Sequence, residues 1–126
     1  MINVATEIAK NNPSPKYKFG AVITAKNGRI VSVGENSYSR SHPMQARYGE
    51  RYTTPEACFI HAEVAAIIRA KGKGHTLYVS RVLKNGTEAM ARPCPACLGA
   101  IKFETKLRKI VYTVGPNEHG VIEVKR

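Results

Sequence analysis

Tryptophan is absent, aspartate and glutamate together number nine, and cysteine occurs only three times in 126 residues. An odd cysteine count makes a poor disulfide framework. Cys94 and Cys97 stand at C-x-x-C spacing, which in an intracellular protein reads as metal or redox chemistry rather than a cross-link. Cys58 is left over and reads as a small buried apolar residue. No apolar run nears the roughly 20 residues that a membrane-spanning helix requires. The segment Met1 to Glu7 has neither a basic start nor a long apolar stretch, so no secretory signal or transit peptide is visible and a cytoplasmic location is expected. Six tyrosines and three phenylalanines make a thin platform for stacking nucleic-acid bases. Internal repeats and low-complexity segments are missing as well.

Positive charge is what the chain has in excess: 20 Lys and Arg give a formal net charge of +11. Such a field concentrates anions, phosphate first among them. The basic residues are scattered from Lys10 to Arg126 in blocks no longer than two, which fits a solvated basic surface as well as a binding face. With 43% hydrophobic and 23% charged residues, the composition is that of a globular chain. At this length a single domain over 1–126 buries about two thirds of the surface its unfolded chain exposes.

Periodicity gives the elements. Val4, Ala5, Ile8 and Ala9 recur at helical spacing and predict a helix over 2–11, stopped by Asn11-Asn12-Pro13. Phe19 to Ala25 and Ile30 to Val33 are β-rich runs joined through Asn27-Gly28, a strong hairpin signal, so they should pair antiparallel. Residues 36–58 are polar, show no dependable period and read as a substrate-side loop or lid. Val64, Ile67 and Ile68 mark a helix over 60–70 ending near Gly72 and Gly74. Leu77-Tyr78-Val79 is a third strand, and Val82 to Ala91, with Asn85-Gly86, reads as a small hairpin excursion. A third helix should start at Cys94-Pro95, where proline is tolerated because the first helical amides lack partners, and run to about Thr105. Ile110 to Val114 and Val121 to Val124 complete five strands. The connection between the last two is too short for a parallel crossover, so they should be antiparallel.

His61-Ala62-Glu63 and Pro93-Cys94-Pro95-Ala96-Cys97 carry the chemistry. One imidazole and two thiolates are the three protein ligands of a catalytic zinc, which keeps its fourth position for water. Cys94 and Cys97, at i and i+3, face the same side of a helix whose N-terminus favours thiolate over thiol. His61 and Glu63 lie about 200° apart around a helix, so they converge only if the helix end points at the site. In that pose the amide of Ala62 or Glu63 is offered to a substrate oxygen while Glu63 stays off the metal and moves protons. Two other readings stand beside this one: a closed structural zinc site with Cys58 as fourth ligand, and a thioredoxin-like redox pair, which would leave His61-Ala62-Glu63 idle. His42, His75 and His119 have no ligand spacing and read as surface or loop histidines.

On these motifs, with strand Phe19–Ala25, the Gly34-Glu35-Asn36 strand end and strand Leu77–Val79, most of the chain resembles the cytidine deaminase-like superfamily. The resemblance implies a three-layer α/β/α sandwich around a five-stranded mixed sheet in the order 2-1-3-4-5. It implies zinc held by His61, Cys94 and Cys97, with Glu63 as general acid/base. Asn36 matches the asparagine that contacts the sugar, and the Ala62 backbone matches the amide that meets the pyrimidine carbonyl. The implied reaction is hydrolytic deamination at C4 of cytosine, or C6 of adenine, with release of ammonia.

Histidine as first ligand is similar to deoxycytidylate, guanine and tRNA adenosine deaminases, whereas the antiparallel closing hairpin is similar to the free-cytidine branch. The expected substrate is a cytosine-bearing nucleoside or nucleotide, deoxycytidylate first. A deaminase of single-stranded RNA or DNA comes second, and a catalytically silent zinc-stabilised binding module third. The resemblance also implies a homo-oligomer.

Overall fold

A computed structural model describes residues 1–14, 17–37, 43–52 and 61–125, the side chains of 49–52 excepted. Helix α1 (Ile2–Lys10) buries Ala5, Thr6 and Ala9. Strands β1 (Lys18–Thr24) and β2 (Ile30–Glu35) form the expected antiparallel hairpin. Its turn contains Gly28 at φ 89°, where a Cβ would be strained. Then come α2 (Pro43–Tyr52), α3 (Ala62–Ala70), β3 (Thr76–Val82), β4 (Glu88–Ala89), α4 (Pro95–Glu104), β5 (Lys109–Gly115) and β6 (Glu118–Glu123). No described helix is long and apolar enough to cross a membrane.

The long strands lie in the order β2-β1-β3-β5-β6, with β3 and β5 parallel and the other neighbours antiparallel. This is the expected mixed sheet with an antiparallel closing hairpin. It differs from the expected five strands by one short addition, because the excursion after β3 supplies β4 and makes six. The pairing of β5 with β3 ends at Val79 and Tyr112, and beyond it β4 takes up Arg81 and Val82. Thr113 closes the gap: its hydroxyl donates to the Ala89 carbonyl at 2.7 Å and accepts the Arg81 N–H at 3.3 Å.

Strand register puts Gly20 and Glu35 on one face of the sheet and Ala21 and Gly34 on the other. A Cβ on Gly20 would collide with the backbone of Ala5 and Ala9 in α1. One on Gly34 would stand 2.5 Å from the Ala62 carbonyl oxygen and 2.6 Å from the Ala66 nitrogen in α3. Helices therefore press on both faces, giving the α/β/α layering. The main core lies on the α3 side, where Ala21, Ile23, Leu77, Val79 and Ile110 pack with Val64, Ile67, Ala100 and Ile101.

The segment read as a loop over 36–58 is corrected here: residues 43–52 are helix α2. The helix escaped notice because it is held by docking rather than by an apolar stripe. Tyr48 is buried, and its hydroxyl lies 3.1 Å from Glu104 of α4, which Arg47 also meets at 3.0 Å. Tertiary contact of this kind overrides weak local propensity. Residues 38–42 and 53–58 of that segment, with His42 and Cys58, lie outside the described residues.

Candidate metal centre

The helix expected from residue 60 begins at Ala62, and His61 is its N-cap with extended backbone (φ −86°, ψ 157°). The 200° separation of His61 and Glu63 therefore does not apply, since only Glu63 is helical. Cys94 plays the same part for α4: it is the N-cap at φ −70°, ψ 166°, with Pro95 in the first helical position. Two helix N-termini thus converge, and their partial positive charge favours anionic sulfur between them.

The donor atoms of His61, Cys94 and Cys97 all lie within 4.8 Å of one another, so the trio can hold a metal ion. Nδ1 of His61 is 3.3 Å from the Cys97 Sγ and 3.6 Å from the Cys94 Sγ. Tetrahedral zinc with ligand bonds of about 2.0–2.3 Å sets its donor atoms roughly 3.3–3.8 Å apart. The spacing and the nitrogen–sulfur donor set fit zinc.

Without metal these groups share protons among themselves. Cys94 is held down from 9.0 to about 4, first by the hydrogen bond from the Cys97 thiol and then, against the cost of burial, by His61 and the Cys97 backbone N–H. Cys97, fully buried, is pushed well up because its proton is the one Cys94 uses, and burial adds to the effect. His61 is raised by its hydrogen bond to Cys94, with burial opposing. The apo centre is in effect one thiolate, one thiol and one imidazole that favours its proton, and metal binding must expel the protons.

Glu63 stands in the first turn of α3 and is only 5% exposed. Burial raises its carboxyl, with the charge of His61 as the leading opposing influence, and its side chain hydrogen-bonds with Cys97. It borders the metal-holding trio without belonging to it. Ala62 is fully buried as the first residue of α3, so its N–H has no helical carbonyl to meet.

Asn36 follows β2 and is buried. Its Oδ1 accepts from Asn12 Nδ2 at 2.6 Å and from the Phe19 N–H at 3.0 Å, while its Nδ2 donates to the Tyr17 carbonyl at 3.0 Å. A carboxamide has two acceptor sites and two N–H donors, so this network leaves a single N–H for a ligand.

Gln45 is a residue that sequence reasoning missed. It is fully buried in α2, and its Oε1 accepts the His61 N–H at 3.0 Å. Its Nε2 is buried and has no hydrogen-bond partner among the described residues. No motif marks it; the only available signal was its position shortly before His61 in a segment that looked featureless. Arg81 was likewise missed. Its guanidinium lies 5.0 Å from the Tyr17 ring centroid and 5.8 Å from that of Phe19, the two residues whose backbones bind Asn36.

The sequence pattern described as the cytidine and deoxycytidylate deaminase zinc-binding region matches residues 1–114. No curated protein matches the chain significantly. Among solved structures the chain is similar to the cytidine deaminase of Burkholderia pseudomallei, with a TM-score of 0.63 and 18% identity over 97% of this chain and 88% of that one. It is also similar to a mutant cytidine deaminase of Mycobacterium tuberculosis, with a TM-score of 0.52 and 18% identity over 92% and 86% of the two chains. At that identity the likeness is one of fold.

Proposed function

The chain belongs to the cytidine and deoxycytidylate deaminase zinc-binding family, and from that premise we propose that this zinc-dependent deaminase acts on deoxycytidylate. Water replaces the C4 amino group of the cytosine ring, giving the uracil product and ammonia. Zinc, when bound, supplies the Lewis acidity that makes water a nucleophile near neutral pH.

In this reading His61, Cys94 and Cys97 are the ligands and Glu63 is the general acid/base. The observation that carries it is the position of Glu63: a buried carboxyl beside the donor trio, raised by desolvation. A carboxyl with raised affinity for its proton can both take one from water and return it to the ring nitrogen and then to departing ammonia. The Ala62 amide meets the cytosine carbonyl, and the remaining Nδ2 hydrogen of Asn36 meets the sugar.

Arg81 favours the nucleotide over the nucleoside. Its guanidinium is held by the Tyr17 and Phe19 rings, next to the backbone that positions Asn36. A planar cation there supplies a bidentate partner for the 5′-phosphate. The polynucleotide reading needs successive stacking platforms, and Tyr17 and Phe103 are the only exposed aromatics among the described large hydrophobics.

The test is ammonia release from a panel of cytidine, deoxycytidine, their monophosphates, adenosine, guanine and short oligonucleotides. Deoxycytidylate should give the highest kcat/KM. A higher value for a base within an oligonucleotide would overturn the assignment. The proposed assembly is a homo-oligomer and the proposed location the cytoplasm. Light scattering tests the first and fractionation the second.

A further inference from the structure

A row of cations lies at the pole opposite the metal centre. Lys26, His75, Arg108, Lys109, Glu123 and Lys125 line a cleft of about 530 Å³. The donors His61 and Cys94 cap the N-termini of α3 and α4, whereas His75 and Arg108–Lys109 come after the C-termini of the same two helices. Helices of 9 and 10 residues separate the two places by roughly 15 Å at 1.5 Å per residue. A nucleotide reacting at the metal centre does not bring its phosphate here.

The lysine and arginine side chains of the cleft are exposed, but the backbone that carries them is tied together. The His75 N–H donates to the Thr24 carbonyl at 2.7 Å, Arg108 N–H to His75 at 2.9 Å, and Val124 N–H to Arg108 at 2.9 Å. This ladder prolongs the sheet past the ends of β1, β3, β5 and β6, so four neighbouring strands each bring a basic residue to one edge. At about 4.8 Å between strands, the row spans about 14 Å. The His75 ring is fixed by a 2.8 Å hydrogen bond between its Nδ1 and the hydroxyl of the buried Thr76. Among the described residues, Lys26, Arg108, Lys109 and Lys125 make no ion pair; the salt bridges there are Lys10–Glu7 and Arg47–Glu104. These four cations outnumber the one carboxylate of the lining, Glu123, which is the cross-strand partner of Lys109, and the surplus positive field is focused by the low-dielectric walls.

We propose that this cleft is a second ligand site, one that binds a chain of phosphates. Its volume suits a nucleotide-sized ligand, and its row of cations suits successive phosphates more than a single anion. The phosphates come from a free nucleoside polyphosphate or from the backbone of a nucleic-acid strand, which offer the same chemistry to the cations. The site works independently of what is deaminated at the metal centre.

The test is titration of the zinc-loaded chain with tripolyphosphate, a nucleoside triphosphate and a series of deoxythymidine oligonucleotides of rising length, at several salt concentrations. Saturable binding of tripolyphosphate at one site per chain is expected, weakening as salt rises. The double variant Arg108→Gln/Lys109→Gln should lose at least tenfold in affinity. Lys10→Gln/Lys84→Gln, the same change in charge away from the cleft, should keep the affinity within twofold. Zinc content and circular dichroism establish that both variants are folded, and neutralising Lys26 and Lys125 instead gives a second route to the same loss. Affinity that grows with oligonucleotide length identifies a strand as the source, and affinity that stays at the tripolyphosphate value identifies a free polyphosphate. Equal losses for the two double variants, or no saturable binding at low salt, would overturn the proposal.

Discussion

The side-chain oxygen of Gln45 accepts the backbone N–H of His61 at 3.0 Å. A residue in α2 thereby satisfies an amide at the point where α3 begins and where a metal-holding imidazole is set. Gln45→Met keeps the volume but leaves that amide unpaired, at a cost of about 1–3 kcal/mol. Loosening the residues that orient a metal ligand costs about 10–100-fold in metal affinity. Chelator competition and thermal unfolding should register both losses, and Gln45→Glu, which retains the acceptor, should recover most of the zinc affinity. Wild-type zinc affinity in the Met variant would show that the contact is incidental to the centre.

Glu63→Gln preserves shape and removes the ionisable proton. Because Glu63 borders the donor trio without joining it, zinc content should be unchanged while kcat falls by at least about 10²-fold. Loss of zinc together with activity would place Glu63 among the ligands and not beside them.

The apo centre makes a chemical prediction with a definite sign. Cys94 is lowered to about 4 and Cys97 is raised well above 9.0, so at pH 6 the first is thiolate and the second thiol. Thiolate is the nucleophile. Chelator-treated protein at pH 6 should therefore be alkylated by iodoacetamide at Cys94 ahead of Cys97, as read by peptide mass spectrometry. Zinc should protect both, and equal labelling of the two would contradict the proton distribution.

Gly34→Ala tests how tightly α3 lies on β2. The added carbon would come within 2.6 Å of backbone at both Ala62 and Ala66, atoms that move only if the helix moves. Overpacking of this kind costs about 1–3 kcal/mol. The shift would be felt at Ala62 and His61, so weakened zinc binding should accompany the lower Tm. Gly28→Ala, at a turn with open space but φ 89°, should lower Tm and leave zinc binding intact.

Much of this arrangement was legible in the residues. Asn27-Gly28 fixed the first hairpin, and Pro95 after Cys94 marked the start of α4, because both depend on local backbone chemistry. Local reading failed where tertiary contact decides. The segment Pro43–Tyr52 carries little apolar periodicity, and its buried face includes Gln45, whose burial makes sense only beside the His61 amide. Arg81 likewise looks like any strand arginine until Tyr17 and Phe19 are placed against it. The chemistry of the trio was read from residue type and spacing, but the extended N-cap conformation of His61 was not, since it depends on how α3 meets β2.

Under the proposed function, Arg81 is the residue that would separate nucleotide from nucleoside. Held at 5.0 Å from the Tyr17 centroid, its guanidinium is positioned in advance, and little side-chain freedom is lost when a phosphate arrives. A charge-assisted hydrogen bond contributes about 1.5–3 kcal/mol, so Arg81→Gln should raise KM for deoxycytidylate by about 10–100-fold. Deoxycytidine has nothing to offer the guanidinium, and its KM should stay within about twofold. Arg81→Lys keeps the charge but not the planar fork and should fall between the two. A parallel rise in KM for both substrates would mean that Arg81 serves the Tyr17–Phe19–Asn36 framework and not the phosphate, leaving the nucleoside as the better-supported substrate.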